Sequence, residues 1–226
     1  MPYSLNAGAR WVADQSLLFT DDQSPFRAWV AKGHPKLLVI VGENASGKSL
    51  FFRILCGKAR EQKVTPVSIS IRERTGAGSS DMSGLRRVMM FGDEIDQSTG
   101  AASIQVVQSG FRNLNHPQGS ILALDEPELG LSDGYAKVFG QYIGQQTRKT
   151  PKVCAGVVVV THSRSLVSGL VQGLGAEPSF VVCGPHPRSL QDWLATPEIQ
   201  TIESLLALPD VGLERFRQVI TLTKDK

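Results

Sequence analysis

Cysteine is scarce, with three in 226 residues, at positions 56, 154 and 183. No two of them form a C-x-x-C pair. That argues against a disulfide scaffold and against a thiolate zinc site, and it favours a reducing, cytoplasmic setting. Aromatic residues make up only 7% of the chain. No apolar run approaches the roughly 20 residues that cross a bilayer, so a membrane role would depend on another chain. The opening stretch, Met1 to Asn6, has no basic segment leading into an apolar one, and no secretory signal is expected. Neither sign of charge dominates: 24 Lys and Arg against 21 Asp and Glu give +3 at pH 7. Such a balance permits a nucleic-acid partner without requiring one. Internal repeats and low-complexity tracts are also missing. What remains is a chain with 41% hydrophobic residues and the length of one well-buried domain.

Within it stands the stretch Gly42-Glu43-Asn44-Ala45-Ser46-Gly47-Lys48-Ser49, a G-x-x-x-x-G-K-S motif without a mismatch. It follows the apolar run Leu37–Val41, of the kind a buried parallel strand needs, and precedes Leu50–Leu55, which reads as helix. Strand, glycine loop and helix form the context that gives this motif its meaning as a P-loop. Gly42 and Gly47 permit backbone angles that a side chain disfavours, so successive N–H groups can turn into one concavity. That concavity opens on a helix N-terminus, where unpaired donors and the helix dipole favour phosphate. The expected ligand is ATP with Mg²⁺. Residues Gly42 to Leu50 cradle it, Lys48 reaches the β and γ phosphates, and the Ser49 hydroxyl ligates the metal.

The rest of the chain reads as alternating apolar runs and helices. Arg10–Ala13 and Ser16–Thr20 are expected as short edge strands, and Pro25–Lys32 as a short helix capped by Ser24. Trp11, Phe19, Phe26 and Trp29 are expected in the core, with stacking on an adenine ring as the alternative role for one of them. The P-loop helix covers Ser49–Gln62, and Val67–Ile71 alternates as a strand. A glycine- and serine-rich stretch, 72–84, separates it from a strand at Val88–Gly92. A helix ending at Asn113 buries Ile104, Val107 and Phe111. Strands at Ser120–Leu124, Val157–Val160 and Phe180–Cys183 follow. A helix over Asp133–Thr147 carries Tyr135, Val138, Phe139 and Tyr142 on one side. Three C-terminal helices are expected, at 190–194, 202–208 and 213–222. The fold class predicted is α/β, a P-loop NTPase with a mostly parallel central sheet flanked by helices. The chain forms one domain, 1–226: N-terminal edge strands in 1–36, the core in 37–185, and C-terminal helices in 186–226.

Ligands bind at the carboxyl ends of strands in such sheets, and each motif sits at one. Asp125 follows four residues of apolar strand, where an acid holds Mg²⁺ directly or through water. Glu126 is next to it, placed to polarise a water toward the γ-phosphate. His162 ends the run Val157–Thr161 and is expected to face the γ-phosphate as a donor.

Together, Gly42–Ser49, Leu124-Asp125-Glu126-Pro127-Glu128 and Val160-Thr161-His162-Ser163 resemble an ABC-type ATPase. More narrowly they are similar to the soluble branch of RecF-like and chromosome-maintenance ATPases and the short ABC-like ATPases of phages and mobile elements. The likeness runs from about residue 37 to 163. It implies an ATP-dependent homodimer, in which ATP on one subunit is closed over by a signature loop of the other. No LSGGQ is present. Ser98-Thr99-Gly100-Ala101-Ala102-Ser103 is the nearest substitute, with Ser98 and Gly100 as the candidate contacts. Gln97, Asp93 and Glu94 are the only candidates for a Q-loop residue.

The function expected is that of a soluble ATPase whose ATP-dependent dimerisation switches a partner protein or DNA. The alternatives are the nucleotide-binding subunit of a membrane transporter and a nucleotide-sensing module that does not hydrolyse. The missing LSGGQ and the short interval between Ser49 and Ser98 weigh against the transporter. Glu126 weighs against the sensor, since pure binding does not need it.

Overall fold

A computed structural model describes residues 3–69, 99–115, 117–197 and 199–224. Helices α1 (Leu5–Gln15) and α2 (Leu17–Thr20) lead into β1 (Ala28–Ala31) and β2 (His34–Gly42). Then come α3 (Lys48–Glu61), β3 (Thr65–Ile69), α4 (Thr99–Arg112), β4 (Ser120–Asp125) and α5 (Asp133–Arg148). The chain closes with β5 (Cys154–Val160), α6 (Arg164–Leu174), β6 (Pro178–Cys183), α7 (Leu190–Ala195) and α8 (Ile202–Lys224). The six described strands form one sheet in the order β1-β6-β2-β5-β4-β3. β1 runs antiparallel to β6, and the other pairings are parallel. The protein is therefore α/β, with a mostly parallel sheet flanked by helices. No described helix is long and apolar enough to cross a membrane.

Both faces of the sheet are covered. Leu37, Val39 and Val41 join the cluster formed with α4, α5 and α6. Leu38 and Ile40 point the other way, into the cluster formed with α1 and α3. This explains why the run is apolar at every position rather than at alternate ones. β3 lies at the edge of the described sheet and tolerates Pro66, which has no N–H to donate.

The N-terminal segment departs from expectation. Arg10–Ala13 and Ser16–Thr20 are helical, not edge strands. The deciding pattern starts upstream: Leu5, Ala9, Val12 and Ala13 are buried at three- and four-residue spacing, and Ser4 caps the helix by accepting from the Ala7 N–H. Pro25–Lys32 is not a helix either; its second half is the edge strand β1, held in place by pairing with β6. Ser24 closes a turn instead of capping, its hydroxyl donating to the Leu18 carbonyl at 2.6 Å. Of the four aromatics expected in the core, Phe19 and Phe26 are buried, whereas Trp11 and Trp29 are 38% and 42% exposed.

The side of α5 expected to carry four large residues turns inward only in part: Phe139 is buried and Tyr142 packs against the core. Tyr135 and Val138 are exposed, and the buried positions are Ala136, Phe139, Gly140, Ile143, Gly144 and Thr147. The reason is α6. A Cβ at Gly140 would lie 2.2 Å from the Leu166 carbonyl oxygen, and one at Gly169 would lie 1.9 Å from that of Lys137. Gly144 and Gly173 repeat the arrangement one turn on. The two helices touch backbone to backbone, which only glycine allows. At the C-terminus a single helix, α8, runs through Pro209 where two were expected. The last two residues of the expected strand 67–71, the stretch 72–84, the strand Val88–Gly92 and the residues Asp93, Glu94, Gln97 and Ser98 lie outside the described residues.

Candidate functional site

β2 delivers the glycine loop to the carboxyl edge of the sheet. Gly42 pairs with Cys183 of β6, and its φ of +153° suits glycine; a Cβ there would lie 2.3 Å from the Cys183 carbonyl oxygen. Gly47 stands at the N-cap of α3 with φ +96°, where a Cβ would meet the Phe26 ring at 2.7 Å. Ala45 is also left-handed, at φ +59°. No side chain caps α3 and no acid sits in its first turn. That leaves its leading N–H groups and its positive dipole end for an incoming anion.

Lys48 is buried, and its Nζ donates to the Glu43 carbonyl of the same loop at 2.8 Å. Burial lowers its pKa from the ordinary lysine value, against the opposing pull of Glu126, the Cys183 thiol, Glu43 and Asp125. The Ser46 hydroxyl is buried with no hydrogen-bond partner among the described residues. Ser49, Asn44 and Ala45 are exposed, and Glu43 and Leu50 are half-buried.

The same edge carries the acids and the histidine. Ile40 and Asp125 both lie opposite Val160, so Asp125 and Glu126 emerge beside the turn Thr161-His162. The Glu126 N–H donates to the Val160 carbonyl at 2.8 Å while its own φ is +47°. A non-glycine residue in the left-handed region stores strain that its surroundings must hold. His162 Nδ1 lies 3.1 Å from Glu126 Oε1. That hydrogen bond raises the pKa of His162 above the ordinary histidine value, helped by the charges of Glu126 and Glu128 and opposed by burial and Lys48.

Glu128 is buried beneath them. Its Oε1 accepts from the Thr161 hydroxyl, and its Oε2 has no partner among the described residues. Thr161 Oγ1 in turn accepts from the Ser163 N–H at 2.8 Å, and Ser163 caps α6 by accepting from the Leu166 N–H. Glu128 thus clamps the turn that presents His162. Burial raises its pKa, with the Thr161 hydrogen bond acting against this.

The structure brings Lys48, Asp125, Glu126 and His162 together at one edge with the Gly42–Ser49 loop. Gly100 is buried at the start of α4 against the turn that follows β4, where a Cβ would lie 2.6 Å from Leu131 Cδ2 and 2.8 Å from the Gly130 carbonyl oxygen. Two features have no forerunner in the motif reading. The Glu128 clamp has no sequence signal, since D-E-P-E reads equally as a solvated acidic turn. Arg215, on α8, donates from Nη1 to the Ala45 carbonyl at the tip of the glycine loop, 170 residues away in sequence.

The geometry fits a polyphosphate: an uncapped helix end, a buried hydroxyl without a partner, and an ammonium held by its own loop. No group of three or more His, Cys, Asp or Glu among the described residues is arranged to hold a metal. Ser49 and Asp125 would therefore supply part of a Mg²⁺ shell, with phosphate oxygens and water for the rest. Compared with protein-family models, curated proteins and solved structures, the chain matches none.

Proposed function

We propose that the chain binds ATP with Mg²⁺ on the Gly42–Ser49 loop and hydrolyses it, and that ATP-dependent dimerisation switches a partner protein or DNA. The observation that carries this reading is the meeting of Lys48, Asp125, Glu126 and His162 at the edge where the uncapped end of α3 opens. Bound Mg²⁺ would supply positive charge against the phosphates. Lys48 leaves the Glu43 carbonyl for the phosphates, and its buried setting strengthens that attraction. Ser49 and Asp125 would hold that metal. Glu126 orients a water for in-line attack and accepts its proton as the bond from phosphorus to the bridging oxygen breaks. His162 donates toward the γ-phosphate and fixes the Glu126 carboxylate. The Glu128–Thr161 clamp keeps His162 at that distance.

The reading agrees with the resemblance to soluble ABC-type ATPases. Phosphate release by purified protein, with and without Mg²⁺, tests it. Wild type turns over ATP only with the metal, and Lys48→Ala loses nucleotide affinity or turnover while its thermal melt stays intact. Normal ATP binding and hydrolysis by Lys48→Ala would overturn the assignment. Binding without any phosphate release would instead favour the nucleotide-sensing module.

A further inference from the structure

α8 spans 23 residues and leaves most of its surface in water. Its half-buried positions include Ser204, Leu208, Val211, Arg215, Gln218 and Leu222, spaced four, three, four, three and four apart. This stripe is the face turned to the domain. Arg215 reaches the Ala45 carbonyl from it, and the neighbouring Val219 packs on the cluster beneath α1 and α3.

The opposite face repeats the same spacing with apolar residues. Ile202, Leu206, Leu213 and Phe216 are 72%, 72%, 48% and 61% exposed. With Pro209 between them, they fall at the a and d positions of a heptad. A row of large apolar side chains left in water marks an interaction surface.

The charges beside this row define its occupant. Glu203, Asp210 and Arg217 recur every seven residues along one margin of the seam, and all three are exposed. They run from acidic to basic toward the C-terminus. In a parallel pair of helices this margin would face Leu205, Gly212 and Val219, which carry no charge. In an antiparallel pair it faces itself. With Leu213 set against Phe216 of a second copy, Asp210 lies across from Arg217, and Arg217 from Asp210. Such a surface is complementary to itself about a two-fold axis. Among the described residues, neither Asp210 nor Arg217 takes part in an ion pair within the chain.

We infer that α8 is a dimerisation helix: two copies of this chain pair antiparallel through its outward face, with Leu213 and Phe216 at the centre and Asp210–Arg217 pairs on either side. Pro209 removes a helical hydrogen bond, so the tightest contact lies from Pro209 onward. A seam of this length is smaller than a standard stable interface, and the dimer dissociates on dilution. The pairing needs no nucleotide, which separates it from the ATP-dependent dimer of the proposed function.

Sedimentation velocity on the nucleotide-free full chain, over a dilution series, tests it. Wild type forms a concentration-dependent dimer. Leu213→Glu with Phe216→Glu weakens it by more than about 100-fold, as removal of central apolar anchors does. Asp210→Arg alone and Arg217→Asp alone each weaken it, and the double variant Asp210→Arg/Arg217→Asp restores it. A fold defect would not be rescued by a second charge reversal, and thermal melts of each variant exclude one directly. A nucleotide-free chain that stays monomeric at every concentration overturns the inference. So does a dimer untouched by the α8 substitutions, or single reversals without rescue. A dimer seen only with ATP and indifferent to α8 would overturn it while leaving the nucleotide reading in place.

Discussion

His162 Nδ1 lies 3.1 Å from Glu126 Oε1, so the turn after β5 and the turn after β4 share one hydrogen bond. The pair joins the ends of β4 and β5, two adjacent strands on one side of the β2 that carries the glycine loop. Glu126 is held from both sides: its N–H by the Val160 carbonyl, and its carboxylate by the imidazole. Its left-handed backbone is thereby fixed at the end of β4.

The first prediction concerns pH. The pKa of His162 is raised in the folded chain, chiefly by its hydrogen bond to Glu126. Its contribution to stability is therefore fully present below the ordinary histidine value, about 6.5, and is lost as pH rises through the higher folded value. The imidazole is more than half exposed, so solvent screening keeps the effect small. The difference in urea midpoint between wild type and His162→Gln should be largest in mild acid and shrink toward alkaline pH. A difference that grows with pH would mean that the Glu126 pairing does not stabilise the protonated ring.

Glu128 should behave in the opposite sense to a surface carboxylate. Burial raises its pKa, so the folded state holds its proton more tightly than the unfolded chain does. Stability then falls as pH rises above the ordinary glutamate value, about 4.3, and levels off above the folded value. Glu128→Gln removes this slope while keeping an oxygen for Thr161. Glu128→Ala strands the Thr161 hydroxyl and costs about 1–3 kcal/mol. Chemical denaturation of the three proteins across pH checks both statements, and a wild-type slope shared by the Gln variant would assign it to another group.

Gly169→Ala should destabilise the fold by roughly 1–3 kcal/mol or more, because its methyl meets the Lys137 carbonyl of α5 rather than a side chain that can move aside. Gly134→Ala is the matched control. It lies on α5 with nothing within 4 Å of its Cβ, and should be neutral or slightly stabilising. Thermal melts of the two variants give the comparison. Equal melting temperatures would show that the α5–α6 contact opens without cost.

Much of this architecture was legible in the sequence. The runs at Leu37–Val41, Ser120–Leu124, Val157–Val160 and Phe180–Cys183 are strands because each, apart from Ser120 at the start of the second, is apolar at every position, as burial on two faces demands. The glycine loop was legible for a local reason too, since Gly42 and Gly47 occupy backbone angles that disfavour side chains. The N-terminal segment was not: its short apolar stretches are ambiguous alone, and β1 owes its strand to β6, some 150 residues later in the chain. The close approach of α5 to α6 was hidden because it is made by glycines, which carry no hydrophobic signal. The Glu128 clamp and the Arg215 contact depend on tertiary placement and leave no local pattern.

The last prediction concerns Glu126→Gln, which keeps the size and backbone demands of the side chain and removes its basicity. ATP and Mg²⁺ should still bind, since binding rests on Gly42–Ser49 and Asp125. A well-placed general base contributes about 10²–10⁴ in rate, and phosphate release should fall by that order. The amide also loses the charge that supports the raised His162 pKa, so the pH dependence of stability assigned to the pair should weaken in the same variant. If ATP binds the dimer better than the monomer, slow hydrolysis shifts the population toward dimer. Light scattering with ATP and Mg²⁺ should then show more dimer for Glu126→Gln than for wild type. Because α8 pairing is independent of nucleotide, the comparison is made in the Leu213→Glu/Phe216→Glu background, where any remaining dimer depends on ATP. A variant that hydrolyses at the wild-type rate removes Glu126 from the chemistry. One that binds ATP, fails to hydrolyse it and stays monomeric in that background sets the ATP-dependent dimer aside and leaves a nucleotide-sensing module as the better account.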